Sequence, residues 1–263
     1  MTKPTATCLI RPLPHYRLEV FRQALTSLGY EFTNKPKKNP GPDDLLVTWN
    51  RYGVGHGQAR IYEAAGARVI VAENGYLPMR KTKKAFALAL NHHNGAGEWY
   101  QESGGNRHEL LDVELQEWRK PNNTAILLPQ RGIGPPGVAM PRQWLENTRR
   151  KLATMRIRNI TRAHPGTNKT VKPLEEDLAA VGFAVTWASG AGLKAICYGL
   201  PVFHELLQWI GAPAARQGYT HMPTNPFRGD RIAMLERVAW AQCSVEELET
   251  AEPIARLLSL RRD

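Results

Sequence analysis

Cysteine is scarce. The three present, Cys8, Cys197 and Cys243, are scattered and odd in number. They form no metal-ligand spacing and no disulfide framework, and they suit a reducing cytoplasm. Long apolar runs are missing as well. No stretch approaches the ~18 apolar residues of a membrane-spanning helix, so none is expected. The opening "MTKPTATCLIRPLPHYR" has no apolar segment followed by a small-residue cleavage site, so no signal peptide is expected. No internal repeat exists, which argues against a solenoid or propeller. Acid is in deficit: 24 Asp+Glu stand against 35 Lys+Arg, a net charge of +11. Such an excess concerns partners rather than fold. Nucleic acid, an anionic membrane surface and phosphorylated substrates all fit it.

What remains is a globular composition. The chain has 263 residues, is 42% hydrophobic and 22% charged, and carries 7 Trp. That is enough to bury a core and too apolar for disorder. The basic residues cluster in "NKPKKNP", "MRKTKK", "NTRRKLATMRIRN" and "LSLRRD". Each cluster could be a solvated face, but four with little compensating acid favour a polyanionic partner.

Short buried strands alternate with helices. "TATCLIR", "YEF", "DLLVTW" and "ARVIVAEN" read as strands, and "RLEVFRQALTSLGY" and "GQARIYEAAG" as helices ending at Gly29 and Gly66. An irregular stretch follows, with a basic helix expected in "RKTKKAFALALNH" and a short one in "ELLDVELQEWRK". The alternation restarts with strands in "TAILLPQ", "IRNITRAHP", "FAVTWAS" and "LPVFH" and helices in "PRQWLENTRRKLATM" and "PLEEDLAAVG". "RGDRIAMLERVAWAQC" and "SVEELETAEPIARLLSL" close the chain as expected helices, the second opening on a capping box from Ser244 to Glu247. This pattern predicts an α/β fold of two Rossmann-like lobes with parallel sheets facing a cleft. The expected division is 1–118 and 119–263.

Ligands of open parallel sheets bind beyond the carboxyl ends of the strands. Polar and small residues collect at those ends here: Glu73, Asn74, Gly75 and Tyr76; Gln130, Arg131 and Gly132; His164, Pro165 and Gly166; then His204. Each has a plain structural alternative, such as capping a helix or ending a strand. In "VTWASGAGLKAICYGLPVFHE" the small residues Ser189, Gly190, Ala191 and Gly192 stand where a strand hands over to a helix. Two readings stay open there: a tight turn needing glycine, or a phosphate site at a helix N-terminus.

"AILLPQ", "TRAHPG" and "VTWASGAGLKAICYGLPV", in this order and spacing, resemble the nucleotide-sugar-binding half of GT-B glycosyltransferases, nearest the capsular polysaccharide and Kdo-transferase-like group. "VAENGYLP" resembles that group's Glu-x-Gly-aromatic motif on the acceptor side. The likeness covers roughly 124–204 and the segment around Glu73. It implies a two-lobe enzyme that takes a nucleotide-sugar as co-substrate, with no other cofactor. It implies donor contacts from Gln130, Arg131, Gly132, Ser189, Gly190, Ala191, Gly192 and Lys194, with His164 at the leaving phosphate and Glu73 as base. His56, His92 and His93 are alternative bases. Lys194 stands where many relatives have a ribose-binding Glu, and Asn74 where many have an acid. No Asp-x-Asp motif occurs, which suits a metal-independent member of the group.

The acceptor follows less directly. Compact size and net charge suit a viral enzyme, working in a host cytoplasm, that glycosylates a hydroxymethylated DNA base. Trp49, Arg51, Tyr52, His56, Asn74, Tyr76, Arg80, Lys81, Lys83 and Lys84 would then contact nucleic acid, and Trp49, Tyr52, Tyr76 or Trp99 would stack on a flipped base. The alternatives are a capsular, lipopolysaccharide or other glycan acceptor, and a non-catalytic nucleic-acid-binding module on the same scaffold.

Overall fold

A computed structural model describes residues 3–13, 15–82, 84–92, 95–102, 104–165, 172–219, 222, 224 and 226–260. The chain forms two compact units. One comprises Met1–His93, Gly97–Leu111 and Glu236–Asp263, and the other Asn94–Ala96 and Asp112–Leu235. The C-terminal segment thus returns to the first unit, a connection that the single division at 118/119 does not contain.

The first unit holds β1 (Thr5–Cys8), α1 (His15–Ser27), β2 (Glu31–Thr33), β3 (Leu45–Trp49), α2 (Val54–Ala64), β4 (Arg68–Asn74) and β5 (Ala85–Leu90). Its sheet runs β11-β5-β4-β3-β1-β2, where β11 is Gln242–Ser244 from the returning segment. Strands β2, β1, β3 and β4 are parallel, and β5 is antiparallel to both β4 and β11. Both faces are covered, so the strands read as unbroken apolar runs. Ala6, Cys8, Leu45, Val47, Ile70 and Ala72 pack on Val20, Phe21, Ala24 and Leu25 of α1. On the opposite face Leu46, Val69 and Val71 pack on Ala59 and Tyr62 of α2.

The second unit holds β6 (Thr124–Leu128), α3 (Trp144–Thr154), β7 (Arg158–Thr161), α4 (Leu174–Ala179), β8 (Phe183–Thr186), α5 (Gly190–Cys197), β9 (Val202–His204) and β10 (Arg216–Gln217). Its five strands are all parallel in the order β10-β9-β8-β6-β7. The chain then enters α6 (Arg231–Ala241), β11, α7 (Val245–Glu249) and α8 (Glu252–Leu258). The α/β class and the two parallel-rich sheets agree with the pattern of the sequence.

Three expected helices are not there as drawn. "AFALAL" in the supposed basic helix is β5. Phe86, Leu88 and Leu90 enter the α1-side core at period two, and pairing with β4 and β11 overrides the helix propensity of Ala and Leu. "ELLDVELQEWRK" runs extended after a short 3-10 turn at Arg107–Leu110. Leu111, Val113 and Leu115 alternate, and Gln116 and Arg119 donate backbone N–H bonds to Cys197 and Gly199 at 2.9 and 2.8 Å. The final helix divides at Ala251, a left-handed residue with φ 64°, with Pro253 in the first turn of α8. Its capping box does form: Ser244 Oγ accepts from the Glu247 amide at 3.1 Å, and Glu247 Oε2 from the Ser244 amide at 2.9 Å.

Candidate active-site edges

In each sheet the strand order reverses direction once, the position at which open parallel sheets take ligands beyond their carboxyl edge. In the second unit this switch lies between β6 and β8. The residues that follow them, Gln130–Gly132 and Ser189–Gly190, are brought side by side. Gln130 Nε2 donates to the Ala188 carbonyl at 3.1 Å, bridging the two loops. Its Oε1 is buried and has no hydrogen-bond partner among the described residues. Thr186, fully buried, ties the same edge: its Oγ1 donates to the Leu128 carbonyl at 3.0 Å and accepts from the Ser189 amide at 2.9 Å. A buried strand-end threonine carries no signal in one sequence, and sequence reasoning missed it.

Ser189 is the N-cap of α5. Its Oγ accepts from the Ala191 amide at 3.2 Å, and its carbonyl accepts from the Gly192 amide at 2.9 Å. Gly190, first in the helix, has no intrahelical acceptor to reach. A side chain there would meet nothing within 4 Å. Gly192 differs. A Cβ on it would stand 3.0 Å from Trp209 and 3.1 Å from Thr186 Cγ2, so its smallness serves the core. The expected donor role of Gly192 is corrected accordingly, since it is buried under Trp209. The Ala191 amide is already spent on the cap. Lys194 is exposed on the next turn, away from the leading amides.

Arg131 and Gly132 are exposed, and Gly132 takes φ 67°. His164, exposed after β7, has its pKa lowered by partial desolvation and by the Arg131 charge, so the two residues sense one another. The expected Gly166 lies outside the described residues. His204 is a core residue, 1% exposed, with Nδ1 2.9 Å from the Leu206 carbonyl and its ring 5.1 Å from that of Trp209.

In the first unit the switch lies between β1 and β3. Trp49 ends β3, and Arg17 of α1 lies over its ring at 4.4 Å. Arg17 Nη2 also donates to Asn74 Oδ1 at 3.1 Å. A lone arginine early in a helix is unremarkable in sequence, and it was not anticipated. Glu73 and Asn74 complete β4, and the Gly75 amide continues the pairing to the Ala85 carbonyl at 2.8 Å. A Cβ on Gly75 would lie 2.8 Å from that of Ala85, which explains the glycine in this Glu-x-Gly-aromatic run. Tyr76 then turns back, and its hydroxyl donates to Glu73 Oε2 at 3.0 Å.

The remaining acceptor-side expectations divide. Tyr52 is 69% exposed, free to meet a ligand. Arg51 is corrected: at 5% exposed it cannot meet one. Its Nη2 donates to Glu63 Oε2 at 2.6 Å, its Nη1 to Glu63 and the Asn91 carbonyl, and its Nε approaches His56 Nδ1 at 3.4 Å. That network also engages His56. Burial, then the Arg51 charge, lowers the pKa of His92. Trp99 is only partly exposed, with its Nε1 buried and unpartnered among the described residues. Arg80 and Lys81 are exposed in a turn before β5, and Arg80 Nε donates to the Glu109 carbonyl at 3.0 Å. Lys84 is exposed beside them, and no helix groups the three. Lys83 and His93 lie outside the described residues.

No protein-family model matches this chain, and no curated protein matches it in sequence. Among solved structures it is similar to the KpsC β-Kdo 2,4-transferase of Thermosulfurimonas dismutans. The TM-score is 0.55 and the identity 12%, over 95% of this chain and 98% of the other. It is similar also to the KpsC β-Kdo 2,7-transferase of the same organism, with TM-score 0.55 and 12% identity over 98% and 100%. The two-lobed α/β fold is therefore shared along almost the whole length.

Proposed function

We propose that this chain is a glycosyltransferase that moves a sugar from a nucleotide-activated donor to a hydroxyl of a glycan acceptor. The observation that carries the reading is the open amide of Gly190 at the Ser189-capped start of α5, set at the switch point of the second sheet. A helix N-terminus of this kind holds phosphate. Arg131 would add charge, and the neutral His164 ring an N–H hydrogen bond, as the donor's phosphate leaves. Gln130 Oε1 would accept from the nucleotide. Glu73, oriented by Tyr76, would take the proton of the acceptor hydroxyl. The fold shared with two Kdo transferases supports a glycan over other acceptors. No step in this scheme calls for a metal.

A hydroxymethylated DNA base is the second reading. The net charge of +11 and exposed Tyr52 favour it. It has lost two supports, because Arg51 is paired internally and the basic helix is a turn and a strand.

Thermal unfolding with CMP, UDP, GDP and ADP tests the donor. A nucleotide bound only by the native state at one hundred times its Kd adds about 2.7 kcal/mol. One nucleotide should raise the melting temperature, and Gly190→Val should abolish that rise. If none does, even with capsular oligosaccharide or DNA added, the chain is a binding module without donor chemistry.

A further inference from the structure

Gln242 is 1% exposed in β11, a strand the sequence did not announce. A buried amide in such a strand is out of place unless its polar atoms are satisfied. Three bonds satisfy it, and all go to one dipeptide. Its Oε1 accepts from the amides of Tyr76 and Leu77 at 3.0 and 3.2 Å, and its Nε2 donates to the Leu77 carbonyl at 2.9 Å.

The register explains the reach. Gln242 pairs with Ala87 across β11 and β5, and Ala87 pairs with Glu73 across β5 and β4. Cross-strand partners share a face of the sheet. Gln242 and Glu73 therefore flank Ala87 on one face, two strand spacings or about 10 Å apart. The methyl of Ala87 leaves room between them. The Tyr76–Leu77 segment is held at one end of this row by Gln242 and reaches the other through the Tyr76 hydroxyl, 3.0 Å from Glu73 Oε2.

We propose that Gln242 is a positioning residue for the acceptor-side carboxylate: it clamps the Tyr76 backbone so that the Tyr76 hydroxyl orients Glu73. This rests on the reading of Glu73 as the base. A buried amide that merely completed the core would be replaceable by an apolar side chain of equal length without effect on Glu73. The clamp is not replaceable in that way. Ser244 and the α7 capping box begin two residues on, so the same returning segment that closes the sheet also sets the site.

The test is NMR of protein carrying 13C-labelled Glu at fixed neutral pH, with Glu73→Gln assigning the Glu73 carboxyl resonance. Gln242→Met should move that resonance to the position it takes in Tyr76→Phe. The double variant should move it no further. A Gln242→Met spectrum that leaves Glu73 unmoved overturns the proposal. Should Gln242→Met fail to fold, amide exchange in the wild type decides. The Tyr76 and Leu77 amides should exchange at least about tenfold more slowly than unprotected ones, and unprotected rates overturn the clamp. Sugar transfer by Glu73→Gln separates the two ideas. Retained transfer removes Glu73 as base, and the resonance shifts judge the clamp independently.

Discussion

Gly190 and Gly192 stand two positions apart in one turn and serve different ends. The first leaves open space at a helix start, and the second admits the Trp209 ring. Gly192→Ala forces its Cβ to 3.0 Å from a tryptophan that is 1% exposed and cannot yield cheaply. Its cost should be about 1–3 kcal/mol in urea denaturation, the usual penalty of overpacking. Gly190→Ala meets nothing, so its stability should stay within about 0.5 kcal/mol of wild type. An equal loss in both variants would contradict this division. The same pair of residues shows why the small-residue turn was ambiguous in sequence: Gly192 is required by packing against Trp209 rather than by a left-handed backbone, while the space beside Gly190 is open.

Helix ends show the element scale. α1, α2 and α5 stop at Gly29, Gly66 and Gly199, with φ of 93°, 74° and 82°. The closing bonds are those of the Schellman motif: Tyr30 to Leu25, Ala67 to Tyr62 and Leu200 to Ala195. α3 closes identically, with Ile157 donating to Leu152 at 2.9 Å and Arg156 to Ala153 at 2.9 Å. Its left-handed residue is Arg156, exposed, with φ 56°. Arg156→Gly removes the Cβ penalty of that conformation and should raise stability by about 0.5–1 kcal/mol. A lower unfolding midpoint in that variant would show that the arginine side chain holds the turn by other means. The glycine stops were legible in sequence because the physics is local. Arg156 was not, because nothing in its own identity marks a positive φ.

At the scale of the whole molecule, stability depends on histidines kept neutral. Burial lowers the pKa of His204 and of His92, and desolvation with the Arg131 charge lowers that of His164, each from 6.5. The unfolded chain then binds more protons than the native one below pH 6.5. Stability is fully present above that value and falls as pH drops through the native values. The limiting slope for one fully buried histidine such as His204 is about 1.4 kcal/mol per pH unit, and exposed His164, screened by solvent, contributes less. Asp44, buried, and Asp177, half-buried, are nonetheless lowered from 3.8 by Lys37 and by Lys172 with Arg162; they act at more acidic pH and do not mask it. Urea midpoints at pH 8, 7, 6 and 5.5 should be level above 7 and decline below 6.5, and His204→Gln should flatten the decline. A level profile from 8 to 5.5 would refute the assignment.

The sequence by itself determined the local physics: short apolar strands, amphipathic helices, glycine stops, the Ser244 capping box, and polar residues gathered at strand ends. From these the two parallel-rich sheets followed, as did the proximity of Gln130 to the Ser189 turn. The tertiary structure alone decided what depends on distant pairing. "AFALAL" becomes a strand because β4 and β11 flank it, and β11 comes from the far end of the chain. Arg51 is withdrawn from solvent because Glu63 and the Asn91 carbonyl meet it inside. Arg17 over Trp49, and Gln242 in register with Glu73 across Ala87, are likewise invisible to spacing. Periodicity reports which face of an element is buried. It carries no record of which remote side chain will satisfy a buried charge or amide, and that matching awaits the assembled sheet.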